Sequence, residues 1–444
     1  MITRRALLAS SALAAAQTGN RPNVIVIVTD DQGCHDLGCL GATDLKTPNI
    51  DALAAFGARF VNWYSNAPVC APSRSSINTG RFPIKAGVPA NGAEIPPGTP
   101  TIATTLKSAG YATGAFGKWH LGGSDNTRPN AHGFDYYYGF LSGCVDFYSH
   151  RYYWGEPRLT NYHDLWRNRT EIFEDGQYLT ERITAEVTGF IRQNRARPFF
   201  AYCAYNAPHY PMHAPAKYLE RFPSLAPERR TYAAMIAAVD DGVGEIRRAL
   251  EQAGLLDNTL IFYIADNGAT TEKRAGLGQN YATAGGNGAF RGFKFSLFDG
   301  GMHVPGLVSW PRRVPKGQVI HELAMSMDIL PTICEAAGVA VPSRVDGKSI
   351  LAVAASKAKS PHDAIYWSNQ GQTAVRRGKW KLVVNGKEFG RSPDGNKSLS
   401  GDDAMFLADL ETDPGERVNL RKQHPNVVDE LATLLASWER TMKE

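Results

Sequence analysis

Cys70 is the second residue of a short stretch, VCAPSRSSINTGR, in which several residue types could do chemistry. Pro72 suits the first turn of an α-helix, because proline lacks the N–H group that would have no partner there. This places Cys70 at the positive end of a helix dipole, beside Arg74, where an anion or a thiolate is favoured. A thiolate nucleophile, a metal ligand, half of a disulfide and a precursor of another group are all compatible with this position.

Polar residues directly follow four apolar runs of strand length elsewhere in the chain. The runs are NVIVIVT, YATGAFG, PFFAYCAYNA and TLIFYIA. The polar residues that follow them are, in chain order, Asp30 and Asp31, Lys118 and His120, His209, and Asp266 and Asn267. Each group taken alone is more often a turn or a solvated residue than part of a site. Their occurrence after four separate runs favours a shared site.

Helical patterns lie between these runs. In TPNIDALAAFG, Thr47 is a candidate helix cap and Pro48 takes the first helical position. Further patterns cover TIATTLKSAG, residues 178–194 and residues 228–253. Alternating strands and helices, with strands that are apolar throughout, predict an α/β fold with a mostly parallel central sheet and helices on both faces. Ligands bind beyond the carboxyl ends of the strands in such sheets, so the polar groups are predicted to meet there.

The oxygen-bearing side chains among these groups suit a hard cation, Ca²⁺ or Mg²⁺, better than zinc. The candidate ligands are Asp30, Asp31, Asp266 and Asn267. The candidates for positive charge and proton transfer are Arg74, Lys118, His120, His209 and Lys294. A divalent cation with several basic groups is what a sulfate or phosphate ester needs in its transition state. A thiolate is a soft ligand for such a cation, so an unmodified Cys70 fits this chemistry poorly.

The composition is that of a soluble globular enzyme, with 43% hydrophobic and 20% charged residues in a chain of 444. The formal net charge is +5 and falls by two without Arg4 and Arg5. So small a surplus does not indicate a nucleic-acid partner. The length suits one large domain with a smaller companion.

The first residues, MITRRALLASSALAAAQ, combine a basic start, a short apolar run and small residues. This pattern predicts a signal peptide over residues 1–16, because the run is too short to span a membrane. Arg4 and Arg5 are also typical of a twin-arginine leader, so Sec and twin-arginine export both stay open. We therefore expect an exported protein, periplasmic or extracellular, without a membrane span.

Six cysteines are present, and they do not form a disulfide scaffold in a chain of this length. They are Cys34, Cys39, Cys70, Cys144, Cys203 and Cys334. The spacing of Cys34 and Cys39 matches no zinc pattern. The five other than Cys70 are expected to be buried thiols, with room for one bridge among them.

The sequence pattern changes after residue 350. AIYWSN, TAVRRGKWKLVVN and AMFLADL have the pattern of short strands separated by turns, and a helical pattern runs from Pro425 to Lys443. We predict a catalytic α/β domain over residues 17–350. A C-terminal subdomain over residues 351–444 is predicted to hold a small antiparallel sheet and a helix.

The stretch from Cys70 to Arg81 resembles the C-x-P-S-R…T-G-R signature of the formylglycine-dependent type I sulfatases. The resemblance continues through NVIVIVTDDQG, TPNIDALAAFGARF, FGKWHLGG, YNAPHYPMHAP, ADNGA, RGFKFSLFDGG and FLADLETDPGERVNL. It implies the alkaline-phosphatase-like fold with a C-terminal subdomain. It also implies that Cys70 is a precursor, oxidised to formylglycine by a formylglycine-generating enzyme, and that the metal is Ca²⁺. Oxygen ligands alone leave Mg²⁺ open.

The resemblance further implies a role for each site residue. A hydroxyl of the hydrated formylglycine at position 70 would attack sulfur and form a sulfated covalent intermediate. His209 would protonate the departing alcohol, and His120 would take the proton from the second hydroxyl to expel sulfate. The residues that orient the diol and hold the sulfate would be Arg74, Lys118 and Lys294. The metal ligands would be Asp30, Asp31, Asp266, Asn267 and an oxygen derived from Cys70.

The segment from Asp135 to Thr170 is dense in aromatic and basic residues. The aromatic residues include Tyr136, Tyr137, Tyr138, Tyr148, Tyr152, Tyr153, Trp154 and Trp166, and the basic ones are His150, Arg151, Arg158, Arg167 and Arg169. Most such aromatics are core packing. The functional alternative is a cleft wall that stacks sugar rings and pairs with extra anionic groups, which favours a sulfated carbohydrate or polysaccharide as the substrate.

Two other functions stay open at this point. A formylglycine-dependent phosphonate monoester or phosphodiester hydrolase would share the modified residue and the metal ligands. A glycan-binding relative without activity belongs to a different class. It would not need the intact set of Cys70, Arg74, Lys118, His120, His209 and Lys294.

Overall fold

A computed structural model of the chain describes residues 21–153, 161–273 and 280–442. The predicted leader, residues 1–16, lies outside them, as do Trp154 and Arg158 of the aromatic segment. Among the helices in the described ranges, none is long and apolar enough to cross a membrane. All six cysteines lie in these ranges as free thiols.

The apolar runs of the sequence form neighbouring strands of one sheet, because such strands can bury both faces. In β1 (Asn23–Thr29), Ile25 and Ile27 belong to one hydrophobic core, and Val24 and Val26 belong to a second. The remaining strands of the sheet are β2 (Ala58–Tyr64), β3 (Ala112–Lys118), β4 (Tyr136–Phe140), β5 (Trp166–Arg167), β6 (Thr170–Glu171), β7 (Phe199–Ala204), β8 (Thr259–Ala265), β9 (Gly306–Ser309) and β10 (Gln318–Met325).

The strand order in the described part of this sheet is β10-β2-β9-β8-β1-β7-β3-β4-β5-β6. The block β8-β1-β7-β3-β4 is parallel throughout, and β9, β5 and β6 add antiparallel pairs. The predicted α/β fold with a mostly parallel central sheet is confirmed. Two strand ends differ from the prediction: β3 extends to Lys118, and β7 stops at Ala204.

Helices cover both faces of the sheet. On one face, with the core that contains Ile25, lie α1 (Pro48–Ala55), α4 (Leu179–Gln193) and α6 (Pro227–Gln252). On the other lie α2 (Cys70–Thr79), α3 (Ile102–Ser108), α8 (Ile329–Ala337) and α9 (Leu351–Ser356). The short helices α5 (Ala216–Leu219) and α7 (Asp299–Met302) lie in connecting segments.

The start of α1 is held by a residue from another helix. Thr47 takes the cap position and Pro48 the first helical position, as predicted, but the Thr47 side chain makes no capping hydrogen bond. Instead the carboxylate of Asp240, in α6, accepts the N–H groups of Asn49 and Ile50 at 3.0 and 2.8 Å. A buried acid thereby replaces the local cap and ties two helices together.

The C-terminal part contains the predicted antiparallel sheet and helix. Its strands are β11 (Ile365–Asn369), β12 (Gln372–Arg377), β13 (Trp380–Val384) and β14 (Met405–Asp409), followed by α10 (Pro425–Thr441). These elements share a hydrophobic core with Tyr64 and Phe298. Inside this junction, the buried ammonium of Lys381 lies 2.6 Å from Asp299 Oδ1 and 3.0 Å from Glu416 Oε1.

Candidate active site

The four polar groups lie at one edge of the sheet because four neighbouring strands end there together. Val28 of β1 pairs in register with Ala204 of β7 and Ile264 of β8. On the other side of β7, Gly117 of β3 also pairs with Ala204. The residues that continue from these strand ends are Asp30 and Asp31, Lys118 and His120, His209, and Asp266 and Asn267. The structure therefore brings the residues predicted at the strand ends into one site.

Helix α2 brings Cys70 into this site at its first helical position. The Cys70 Sγ atom is buried and lies 3.6 Å from Asp30 Oδ1 and 3.9 Å from Asp31 Oδ1. Burial raises the pKa of the thiol well above its usual value, although the ammonium groups of Lys118 and Lys294 oppose the shift. The surroundings thus disfavour a thiolate nucleophile, which had been one of the possibilities for this cysteine.

The acidic side chains form a buried set of oxygen ligands. Asp31 accepts a hydrogen bond from Asn267 Nδ2 at 2.7 Å, and the backbone N–H of Asp31 lies 3.2 Å from Asp266 Oδ1. Ligand atoms of Asp30, Asp31, Cys70 and His209 all lie within 4.8 Å of one another.

The Oδ1 atom of Asn267 supports a cation among these residues. It is buried without a hydrogen-bond partner in the described structure, although buried polar atoms are normally paired. A hard cation held by the neighbouring carboxylates would supply the missing partner. The donor set therefore fits Ca²⁺ or Mg²⁺.

Three buried cations surround the carboxylates. Arg74 donates from Nε to Asp266 Oδ2 at 2.9 Å, and Lys118 Nζ donates to Asp30 Oδ2 at 2.7 Å. Lys294 Nζ donates to Asp31 Oδ2 at 2.9 Å. Three cationic side chains thus balance three aspartates, so a divalent cation and a singly charged ester group would together add only one positive charge to the cluster.

Burial and neighbouring charges shift the pKa values of the residues in this cluster in opposite directions. Burial alone would raise the pKa of Asp31, but Lys294 and His209 outweigh it and the pKa is lowered. Burial and the charge of Asp30 raise the pKa of Asp266, although Arg74 opposes them. Lys294 keeps its charge despite burial, because Asp31 raises its pKa well above the usual value.

The two histidines are held differently. Nδ1 of His209 lies 2.6 Å from the carbonyl oxygen of Tyr210, and Nε2 lies 3.5 Å from Asp31 Oδ2. If Nδ1 carries the proton that bonds this carbonyl, Nε2 is the nitrogen that faces the site. Burial lowers the pKa of His209 to about 3, against the opposing charge of Asp31.

His120 has a left-handed backbone conformation, with φ of 58°. A Cβ atom at Gly143 would lie 2.8 Å from its Nε2, so the glycine leaves room for the ring. Burial lowers the pKa of His120 well below its usual value, and the cations of Lys118 and Arg74 lower it further. Both imidazoles are therefore neutral bases in this state of the site.

Three further residues lie at or next to the site although no motif in the sequence indicated them. Glu272 lies 3.0 Å from Lys294 Nζ, and Asn91 Oδ1 accepts the N–H of Ala71 at 3.0 Å beside Cys70. Asn206 is buried close in sequence to His209, with no hydrogen-bond partner for either side-chain atom in the described structure. Glu272 follows Asp266 within one loop and could have been found there. Nothing in the sequence marks Asn91.

Comparisons with known proteins show which family the chain resembles. Residues 22–339 match the family described as Sulfatase, and residues 288–441 match N-sulphoglucosamine sulphohydrolase, C-terminal. The chain is 32% identical to N-acetylgalactosamine-6-sulfatase of Mus musculus, covering 93% of this chain and 85% of that protein.

Two solved structures are similar to this chain over most of its length. Ps i-CgsB in complex with k-i-k-neocarrahexaose matches with a TM-score of 0.82 and 31% identity, over 94% of this chain and 92% of that one. The phosphonate monoester hydrolase of Agrobacterium radiobacter matches with a TM-score of 0.66 over 95% and 96% of the two chains. At 21% identity, that second likeness shows a shared fold alone.

Proposed function

The chain belongs to the sulfatase family of sulfuric ester hydrolases, and from this premise we propose that it hydrolyses the sulfate ester of a sulfated carbohydrate. The proposed site uses a formylglycine formed from Cys70 and a calcium ion. One observation carries the proposal: Cys70 Sγ lies 3.6 Å from Asp30 Oδ1 at the centre of a buried set of carboxylates and cations. A soft thiol is a poor ligand at such a hard centre, whereas an oxygen on the same carbon suits it.

The oxygen ligands have a specific task in this proposal. Asp30, Asp31, Asp266 and Asn267 would hold the calcium ion together with an oxygen from the modified position 70. When bound, the calcium ion would supply Lewis-acid stabilisation of negative charge, and the hydrated formylglycine would supply a hydroxyl nucleophile. Mg²⁺ remains the alternative metal for the same oxygen ligands.

The cations hold charge and orient groups. Arg74 pairs with Asp266 and reaches the carbonyl oxygen of Lys118 at 3.4 Å, so it fixes the start of the loop that carries His120. Lys118 lies beside Asp30 and would stabilise negative charge at position 70. Lys294 would bind sulfate oxygens, because it is buried, charged and already at the edge of the carboxylate set.

The two histidines move protons. His209 presents Nε2 toward the site while its Nδ1 is fixed by the Tyr210 carbonyl. We assign its imidazolium form, which carries a proton on Nε2 as well as on Nδ1, to protonate the oxygen of the leaving alcohol; the negative charge of a bound sulfate ester would favour that form. His120 is assigned to take a proton from the position-70 group when sulfate is released.

A carbohydrate substrate has support from two relatives. One similar protein is named an N-acetylgalactosamine-6-sulfatase, and one solved structure is bound to a neocarrahexaose. The phosphonate monoester hydrolase alternative has only a shared fold behind it. A glycan-binding relative without activity is less favoured, because a binding protein would not need buried proton-transfer groups beside a metal site.

We propose that residues 17–350 form the catalytic domain and residues 351–444 the C-terminal subdomain. A leader over residues 1–16 would direct export to the periplasm or the outside of the cell. A formylglycine-generating enzyme would act on Cys70 during maturation.

A substrate panel tests the function. Enzyme co-produced with a formylglycine-generating enzyme is incubated with sulfated glycans, aryl sulfate, and matched phosphate and phosphonate esters, and the release of each anion is measured. We expect sulfate release from sulfated sugars to exceed release from the phosphorus esters. Faster turnover of phosphonate monoesters would favour the phosphonate hydrolase, and no turnover with intact glycan binding would favour the inactive relative.

A further inference from the structure

A cavity of about 570 Å³ adjoins the site next to His120. Its size is that of a small-molecule or saccharide pocket. The lining residues that carry the inference are Glu94, His120, Tyr152, Tyr162, Asp164 and Trp166. Because His120 belongs to both, the cavity and the site adjoin at this residue.

Aromatic rings form part of the cavity wall. Tyr152 and Tyr162 are stacked, with ring centroids 5.0 Å apart and ring planes 12° apart, and Tyr162 is 50% exposed. Trp166 is fixed by a hydrogen bond from its indole N–H to Asp164 Oδ1 at 2.8 Å. Rigid, partly exposed aromatic faces of this kind suit the apolar face of a pyranose ring.

The charge of the described cavity wall is negative. It contains the carboxylates of Glu94 and Asp164 and the imidazoles of His120 and His163, and the described lining residues include no lysine or arginine. Arg128 lies over the Trp166 ring at 5.0 Å, donates to the Gly123 carbonyl and lies 3.5 Å from Asp125. The expectation that basic residues of this segment pair with extra anionic groups thus finds no support in the described lining.

Among the described arginines of the segment from Asp135 to Thr170, Arg151 is exposed next to Tyr152, whereas Arg167 and Arg169 pair with acidic residues outside the cavity. Arg167 pairs with Glu186 at 2.8 Å and with Glu174 at 3.4 Å. Arg169 lies 3.8 Å from Asp125. The cations of the site and the carboxylates of the cavity therefore create opposite potentials on the two sides of His120.

We propose that this cavity binds an uncharged sugar residue next to the sulfated one, and that it disfavours a uronate or a second sulfate at that position. The proposal rests on the carbohydrate sulfatase function proposed above. The sulfate group is drawn toward Arg74, Lys118 and Lys294, and the neighbouring ring stacks on Tyr152, Tyr162 and Trp166. A negative group on that ring would face Glu94 and Asp164.

Three classes of substrate test the proposal with the mature enzyme. The first is a sulfated sugar linked to a neutral hexose, the second the same sugar linked to a uronate, and the third a small aryl sulfate that cannot reach the cavity. We expect kcat/KM to be at least about tenfold higher for the substrate with the neutral neighbour than for the one with the uronate. The reason is that the carboxylate of the uronate would be repelled by the carboxylates of the cavity. A preference for the uronate would overturn the proposal.

Variants assign the effect to the cavity. Tyr162→Ala should lose about tenfold more kcat/KM on the neutral oligosaccharide than on the aryl sulfate, the cost of one aromatic contact. Glu94→Gln keeps an acceptor for the Gly123 N–H, which Glu94 accepts at 3.2 Å. This variant should reduce the ratio of kcat/KM for the neutral substrate to kcat/KM for the uronate substrate. Phe56→Ala, an exposed aromatic outside the cavity, is the matched control and should change neither ratio. Equal losses on both substrates in Tyr162→Ala would refute the assignment.

A binding measurement separates this proposal from the function on which it rests. In a Cys70→Ala background, calorimetry measures the affinity for neutral and uronate-containing oligosaccharides without turnover. Weaker binding of the neutral ligand after Tyr162→Ala supports the cavity as a sugar site even if no sulfate ester is cleaved by the parent enzyme. Equal affinities with and without Tyr162, or no binding of either ligand, would contradict it.

Discussion

The ammonium group of Lys294 lies 2.9 Å from Asp31 Oδ2, so a proposed sulfate-binding cation is paired with a proposed metal ligand. A divalent cation held by Asp31 would therefore compete with this ammonium for one carboxylate. Glu272, 3.0 Å from the same Nζ atom, would remain a partner for Lys294 if Asp31 held the cation. The arrangement lets Lys294 keep a counter-charge whether or not the cation is bound.

Removing this competitor should strengthen cation binding. We expect Lys294→Ala to bind Ca²⁺ at least about tenfold more tightly than the parent protein. Removing a buried positive charge a few ångströms from the cation removes a repulsion of at least about 1 kcal/mol. The same variant should lose turnover. Calcium titration by calorimetry measures the affinity, and Lys85→Ala, which pairs with Asp346 away from the site, is the control. Weaker calcium binding in Lys294→Ala would contradict the competition.

Removal of the metal should abolish activity. Chelation is expected to inactivate the enzyme and added Ca²⁺ to restore it, and Asp31→Ala and Asn267→Ala should each lower the metal content. Elemental analysis with parallel rate measurements makes the test. Thermal melts should also show stabilisation by Ca²⁺, since a ligand that binds only the folded state raises the free energy of unfolding. Full activity in protein shown to be metal-free would rule out the cation.

Modification of Cys70 should be visible in the mature protein. We expect protein from a host with a formylglycine-generating enzyme to carry formylglycine at position 70, seen by mass spectrometry of the tryptic peptide. Cys70→Ala should fold and keep its affinity for substrate but lose turnover. An unmodified cysteine throughout a fully active preparation would refute the mechanism.

Replacing each of the two histidines should block a different step of the reaction. If His209 protonates the leaving oxygen, His209→Ala should harm sugar sulfates most, because acidic phenols leave with less protonation. General acid help of this kind contributes about 10²–10⁴-fold in rate, which sets the scale of the loss on sugar substrates. Rates on a series of leaving groups measure the effect.

His120→Ala should instead release one equivalent of alcohol and then stall. The peptide containing position 70 should gain mass, as rapid-quench mass spectrometry would detect. Equal losses on good and poor leaving groups in His209→Ala, with no burst in His120→Ala, would show that the two roles are assigned wrongly.

Asp240 gives a pH prediction that lies outside the site. Burial raises the pKa of this carboxyl to about 6, although the N–H groups at the start of α1 oppose the shift. The folded state then prefers the protonated acid, so the contribution of Asp240 to stability is full below the unfolded pKa and is lost as the pH rises through about 6. Relative to Asp240→Asn, the parent should lose about 3 kcal/mol of unfolding free energy across that window. Denaturant titrations at pH 4 and pH 7 measure the difference, and an increase with pH would mean that the carboxylate is the favoured form.

Strand ends were predictable because burial leaves a strong signature in sequence. The bounds Asn23–Thr29 and Thr259–Ala265 match the apolar runs residue for residue, since both faces of a central strand must be apolar. Where a strand ends because the chain contacts another loop, the sequence alone did not predict the last residue of the strand. The run that contains β7 was expected to continue to Ala207, but the chain turns earlier and the Ala207 carbonyl accepts the Asp30 N–H at 3.2 Å.

Contacts between distant loops also explain what the sequence did not reveal. Asn91 reaches the start of α2 from a loop with no repeated pattern. In the aromatic segment, Tyr137 and Tyr138 are buried in β4, whereas Tyr152 and Tyr162 line the cavity. The composition of the segment predicted that some of its aromatic residues are buried in the core and that others line a cleft. It did not predict which residues do which.

The buried ion pairs of Lys381 with Asp299 and Glu416 have a consequence for how the protein unfolds. Two of these contacts cross the junction between the C-terminal sheet and the segment around α7: Lys381 pairs with Asp299, and Glu416 accepts the backbone N–H of Asp299 at 2.6 Å. Separating the two parts would leave charges buried without partners or force them into water together with the apolar core around them. The C-terminal sheet and the main sheet should therefore melt in a single cooperative transition, as one unit of unfolding.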